Sequence, residues 1–142
     1  MTLWFRRTAI ALGLASIVIQ LIPVSHTSPP VVSDLVAGPD VKAILRRSCY
    51  DCHSNETEWP WYAYIAPISW LITNDVEHGR AQFNFSKWGQ YPKEKRRARA
   101  DEMLDEIESA DMPPKSYALV HRGVRPSVQE IELLKHWADG EP

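Results

Sequence analysis

Apolar residues recur three and four positions apart in four stretches of the chain, the spacing that lines one face of an α-helix. The first stretch opens at Pro39, a residue suited to the first helical turn because its missing amide hydrogen is not needed there. Val41, Ile44, Leu45 and Ser48 follow as a single stripe. The second predicts a helix over 68–78, with Ile68, Leu71, Ile72 and Val76 inward and Gly79 as its C-terminal cap. The third runs over 92–109, with Ala98, Met103, Leu104 and Ile107 inward among charged residues. The fourth begins at Ser127, which with Glu130 makes a capping box, and carries Val128, Ile131, Leu134 and Trp137 on one face. Strand-like alternation and internal repeats are absent, so the predicted fold class is all-α.

The connections have their own signals. Residues 25–38 hold Pro29 and Pro30 and no sustained period, which reads as an extended tether or a wrap along the domain surface. Turn formers and aromatics crowd residues 54–67, and Asn84, Phe85, Ser86 and Trp88 make a turn with two large anchors. Trp59, Trp61, Phe85 and Trp88 either fill a core or lie against a large flat guest. Asp111, Met112, Pro113 and Pro114 end the third helix, because proline lacks the amide hydrogen and biases its predecessor away from helical geometry.

Ahead of these elements the chain changes character. Arg6 and Arg7 precede a run that is apolar to Val24 except for Thr8, Ser16 and Gln20. A basic start followed by an apolar run reads as a membrane anchor or a secretory signal, with a buried helix of a soluble domain as the remaining reading. The run approaches the roughly 17 to 25 residues that span a bilayer, and no small-x-small cleavage site closes it. The organisation expected is therefore an anchor or signal over 1–24, a proline-containing tether over 25–38 and one domain over 39–142. The positive-inside rule leaves Arg6 and Arg7 in the cytoplasm and sends the rest across the membrane.

Composition narrows the partners. The 142 residues carry a net charge of -2, and beyond Arg7 fourteen basic residues face eighteen acidic ones. No basic field favours nucleic acid. The local run Lys93, Lys95, Arg96, Arg97 and Arg99 reads as a solvated helix face, or as a docking patch for an acidic redox partner or lipid headgroups. A domain this small buries a thin core and gains from a large apolar guest at its centre.

Both cysteines lie in Cys49-Tyr50-Asp51-Cys52-His53. C-x-x-C-H is the pattern of c-type haem attachment. Two thiols at that separation add across the two vinyl groups on one porphyrin edge, and the next residue offers an imidazole to the iron. A thioredoxin-like dithiol, a zinc site and a structural disulfide are the rivals; zinc usually needs a second ligand pair. For the sixth iron ligand Met112 leads. It lies 59 residues after His53, just past a helix end, and Pro113 and Pro114 reduce the entropy lost in ordering its loop. Met103 reads as core filler. His78 and His121 are fallback ligands, while His136 is expected to be exposed and His26 to lie in the tether. Arg80 and Tyr117 are candidates for contact with a haem propionate, and Trp61 for contact with the porphyrin.

These residues resemble the haem-binding domain proteins of bacterial envelopes, small relatives of class I cytochromes c. The resemblance rests on Ile22-Pro23 and Pro29-Pro30, on Cys49-x-x-Cys52-His53-Ser54-Asn55-x-Thr57, on Pro60-Trp61-Tyr62 and Trp70, on Gly79-Arg80 with Asn84-Phe85-Ser86-x-Trp88, and on Met112-Pro113-Pro114. It implies a cytochrome c-like helical fold around one covalent haem c, with His53 and Met112 as axial ligands. It also implies crossing of the first and last domain helices, with Trp137 against the Ile44/Leu45 face. The function expected is single-electron transfer between envelope redox partners, a redox protein or a membrane complex, rather than enzymatic turnover. A haem-dependent sensor or accessory subunit is the alternative, and a peroxidase-like enzyme a more distant one. The expected location is the bacterial inner membrane with the haem domain in the periplasm, or the periplasm itself if residues 1–24 are cleaved.

Overall fold

The computed structural model describes residues 2–140; Met1, Glu141 and Pro142 lie outside them. Helix α1 (Thr2–Val18) continues as a 3-10 turn over Ile19–Leu21. The stretch Leu3–Leu21 is long and apolar enough to cross a membrane, and the rest of the chain covers none of it. A helix that is apolar around its circumference needs a core or a bilayer around it. The domain supplies no core here, so the reading of this segment as the buried helix of a soluble domain is set aside.

The remainder is helical, with no strand among the described residues. α2 (Pro39–Ser48) runs into the single turn of α3 (Tyr50–His53), α4 (Ile68–Gln82) packs on α3, and α5 (Lys93–Glu108), α6 (Lys115–Val120) and α7 (Val128–Asp139) follow. α7 lies against both α2 and α5, so the first and last helices of the domain do meet. Their shared core holds Ile44, Leu45, Phe85, Trp88, Ala100, Met103, Ile107 and Leu134. Trp137 joins it half-buried, its ring 6.0 Å from that of Trp88. Ser127 caps α7 in the expected capping box with Glu130.

Residues 25–38 wrap the domain. Val32 and Ser33 donate to the Ser86 carbonyl at 3.0 and 2.9 Å, and Leu35 donates to Phe85 at 3.0 Å with its side chain buried. Beneath the wrap lies a buried polar net. Asn84 Nδ2 donates to Asn55 Oδ1 at 2.7 Å, the Asn55 amide donates to Ser86 Oγ at 2.9 Å, and Asn55 Nδ2 donates to the Pro30 carbonyl at 2.9 Å. Asn55, Asn84 and Ser86 thus find partners in one another and in the wrap, which is the condition for keeping such groups inside.

The helix faces depart from expectation in three places. On α4 the buried residues are Ser69, Thr73, Val76 and Gly79, while Ile68 and Leu71 are exposed. Gly79 does not end the helix, which continues to Gln82. A Cβ at Gly79 would lie 2.6 Å from the Cys52 carbonyl oxygen and 3.1 Å from Cys52 Cβ. Small side chains therefore face α3 because the two backbones meet there. On α5, Ala100 is buried in place of Ala98, and on α7 Val128 is exposed. α6 arises where a loop is expected; six residues are too few to register a period.

Gly79→Ala is expected to push α4 off α3, at a cost of roughly 1 to 3 kcal/mol, the usual range for overpacking against rigid neighbours. Denaturant unfolding measures it, and a loss no larger than the intrinsic helix-propensity gain of alanine would show the contact to be soft.

Candidate functional site

The site is built on the turn that carries the cysteines. The Cys49 amide still bonds back into α2, donating to the Leu45 carbonyl at 2.8 Å, and the His53 amide donates to the Cys49 carbonyl at 2.9 Å. Tyr50 fixes the turn from behind. It is buried, its ring is stacked on Phe85 with centroids 5.0 Å apart, and its hydroxyl donates to Asp34 Oδ1 at 2.9 Å and accepts from Lys42. With Tyr50 anchored in the core, Cys49, Asp51, Cys52 and His53 face a cavity on the other side.

That cavity has a volume of about 460 Å³ and a mostly apolar wall. Cofactor sites commonly fall at roughly 300 to 1,000 Å³. α4 contributes Gly79 and the adjoining Phe83, α5 contributes Met103 and Ile107, and Met112, Pro113 and Pro114 close another side. The sequence candidates Cys49, Cys52, His53, Met112 and Tyr117 thus line one cavity, although 63 positions separate Cys49 from Met112.

Burial sets the protonation states. It pushes both cysteine thiols up to about 12, so neither is a thiolate at neutral pH, and both are free. Burial pushes the His53 imidazole down, with the carbonyls of Phe83 and Gly79 partly offsetting it. A neutral imidazole is the form that ligates a metal. Nδ1 of His53 is buried with no well-formed hydrogen bond, and the ring stacks on Phe83 with centroids 4.2 Å apart at 15°. Among the described residues no group of three or more His, Cys, Asp or Glu side chains gathers as a metal site. Two free thiols remove the disulfide.

The Met112 loop is held by its backbone. α5 closes through Ala110 in the left-handed region at φ 61°, and the amides of Asp111 and Met112 both donate to the Glu106 carbonyl, at 3.0 and 2.9 Å. A non-glycine residue in that region costs on the order of 1 to 2 kcal/mol, which the surrounding bonds offset. Tyr117 ties α6 to α3 by donating its hydroxyl to Asp51 Oδ2. Its ring stacks on His121, which reaches Tyr62 at 3.2 Å and stays off the cavity wall. His78 does line the cavity; its Nδ1 donates to the Asn74 carbonyl at 2.7 Å.

Two candidates lie elsewhere. Trp61 is 75% exposed and does not touch the cavity. Arg80 points away from it: Nε donates to the Ser54 carbonyl at 2.7 Å, Nη1 to the Thr27 carbonyl at 2.9 Å and Nη2 to Thr57 Oγ1 at 2.8 Å. Its guanidinium is a clasp between the wrap and the loop after His53, so no fork remains for a carboxylate guest.

Comparison with known proteins gives a family. The sequence profile of a family described as a haem-binding domain matches residues 14–140. The chain belongs to that family. No curated protein and no solved structure matches it at a significant level. Within this haem-binding domain, Phe83 and Arg99 are among the wall residues that sequence reasoning misses, with Asp75, Gln82, Glu102, Glu106 and Pro126. Phe83 carries no signal beyond being aromatic, and Arg99 is hidden in a basic run that reads as a solvated face.

Arg80→Ala is expected to lower unfolding free energy by roughly 2 to 3 kcal/mol, the scale of losing charge-assisted bonds and leaving a buried carbonyl unpaired. The visible spectrum of the haem-loaded protein should not move. A shifted spectrum with unchanged stability would return Arg80 to the cofactor.

Proposed function

We propose that this haem-binding domain is a c-type cytochrome of the bacterial envelope that passes single electrons between redox partners, held at the membrane by α1. The observation that carries the reading is the convergence of two buried thiols, a neutral imidazole and a methionine on one apolar cavity. Bound there, a haem supplies a one-electron ferrous/ferric couple.

The chain's own residues divide the work. Cys49 and Cys52 would hold the group through thioether bonds, for which free, unoxidised sulfurs are the required starting state. His53 would offer the iron a ring nitrogen, and its stack on Phe83 keeps the ring from turning. Met112 would offer its thioether as the other ligand, on a loop where the amides of Asp111 and Met112 are already bonded to the Glu106 carbonyl. Ligation by both His53 and Met112 would leave no coordination position for a substrate, which favours electron transfer over enzymatic turnover. Methionine ligation and an apolar wall favour the reduced iron and a relatively positive midpoint potential. The partners are a redox protein or a membrane complex that approaches the open side of the cavity.

The test uses protein matured with haem on export. Wild type is expected to show the near-infrared thioether-to-iron charge-transfer band, and Met112→Ala to lose it with a fall in midpoint potential; a retained band takes Met112 off the iron. Separately, acidified organic solvent should leave the pigment on wild type and extract it from the Cys49→Ser/Cys52→Ser variant. Pigment extracted equally from both would end the covalent reading.

A further inference from the structure

From residue 59 to residue 74 the chain carries no Asp, Glu, Lys, Arg or His, in a protein that is 24% charged. The segment nevertheless faces outward. Trp61 is 75% and Leu71 65% exposed, and Tyr64, Ile65, Ile68 and Trp70 are exposed beside them. None of these side chains lines the haem cavity, and the inner face of α4 is taken up by its small residues. A contiguous apolar patch of this kind on a small domain marks a contact surface.

Its position says with what. Gln20, in the turn that ends α1, bonds to both polar groups of one residue on the patch: Nε2 donates to the Ala66 carbonyl at 3.1 Å and the Ala66 amide donates to Oε1 at 3.0 Å. The ring of His26 pairs with the Ala63 carbonyl at 2.7 Å and packs against Trp59 and Tyr64. The patch is thus fastened to the point where the membrane-length helix ends. The double bond from Gln20 also satisfies an irregular stretch of backbone, as a peptide close to hydrocarbon requires. The family match begins at residue 14, inside α1, so helix exit and patch belong to one unit.

We propose that this surface lies in the interfacial layer of the bilayer that α1 spans, with Trp61, Tyr64 and Trp70 at headgroup depth and Ile65, Ile68 and Leu71 against the outer acyl chains. Indole and phenol rings concentrate at that depth because one end is apolar and the other polar. An uncharged surface enters it without desolvating an ion, and immersion of this kind lays a monotopic face on the membrane. The inference rests on α1 being a membrane anchor, and it adds that the domain lies down on the bilayer rather than hanging from it.

The full-length holoprotein, reconstituted in bilayers containing a phospholipid with a photoreactive diazirine near the headgroup end of its acyl chain, is irradiated and its peptides mapped. Lipid adducts are expected both in Leu3–Leu21 and in residues 59–74, and none at Val128, which is equally exposed on α7. Trp61→Glu/Leu71→Glu should abolish the second set and keep the first. Adducts confined to α1 overturn the docking and leave the anchor standing. Adducts in neither segment overturn the anchor itself. Crosslinks from residues 59–74 to a second copy or another protein, without lipid, assign the surface to that partner and overturn the proposal.

Discussion

α4 touches the backbone of Cys52 where a side chain would otherwise stand, and the rest of the site depends on that approach. Glycine at position 79 brings the helix within contact of the turn bearing both thiols. One turn further on, the same helix delivers Phe83 to the face of His53, so the imidazole is stacked as a consequence of where the backbone lies. The neighbouring residue, Arg80, is carried to the far side and there clasps the segment after His53. A single missing methyl group thereby positions a cavity wall, a ligand ring and a structural cation.

Much of this was legible in the sequence, for reasons that differ by residue. The pentapeptide from Cys49 to His53 is contiguous in the chain, so local spacing places its cysteines and histidine on one cavity. Met112 is distant from the pentapeptide, but a methionine followed by two prolines past a helix end is itself a local signal of a fixed loop, and the fold does bring it to the same cavity. The stripes of α2 and α7 were readable where apolar residues meet a core, as at Ile44, Leu45 and Leu134. α4 misleads because periodicity records which face is apolar, not which face is inside. Its apolar face points outward, and its buried face is small and partly polar. Arg80 misleads similarly: a lone arginine near a haem motif suits an anionic guest, whereas its three bonds all go to the protein, two of them to carbonyls with no signature in the sequence.

Some motif residues serve architecture alone. Ser54, Asn55, Asn84 and Ser86 are buried and bonded to one another or to nearby backbone, joining the turn after His53 to the turn that holds Phe85 and Trp88. The cavity wall itself carries Asp51, Asp75, Glu102 and Glu106 against Arg99 and His78. Carboxylates near an iron centre favour its oxidised form and a thioether ligand its reduced form, so the potential of a haem bound here as proposed would reflect a balance between ligand and surroundings.

The wrap of residues 25–38 changes how such a domain would meet its partners. Bonded to the backbone at Phe85 and Ser86, and clasped at Thr27 by Arg80, this segment has no slack. A loose leash would let the domain sweep a hemisphere and find a soluble acceptor by swinging. With α1 in a bilayer as proposed, a chain laid down along the domain would forbid that search and leave encounters to drift in the plane of the membrane and to the few orientations that a fixed mount allows.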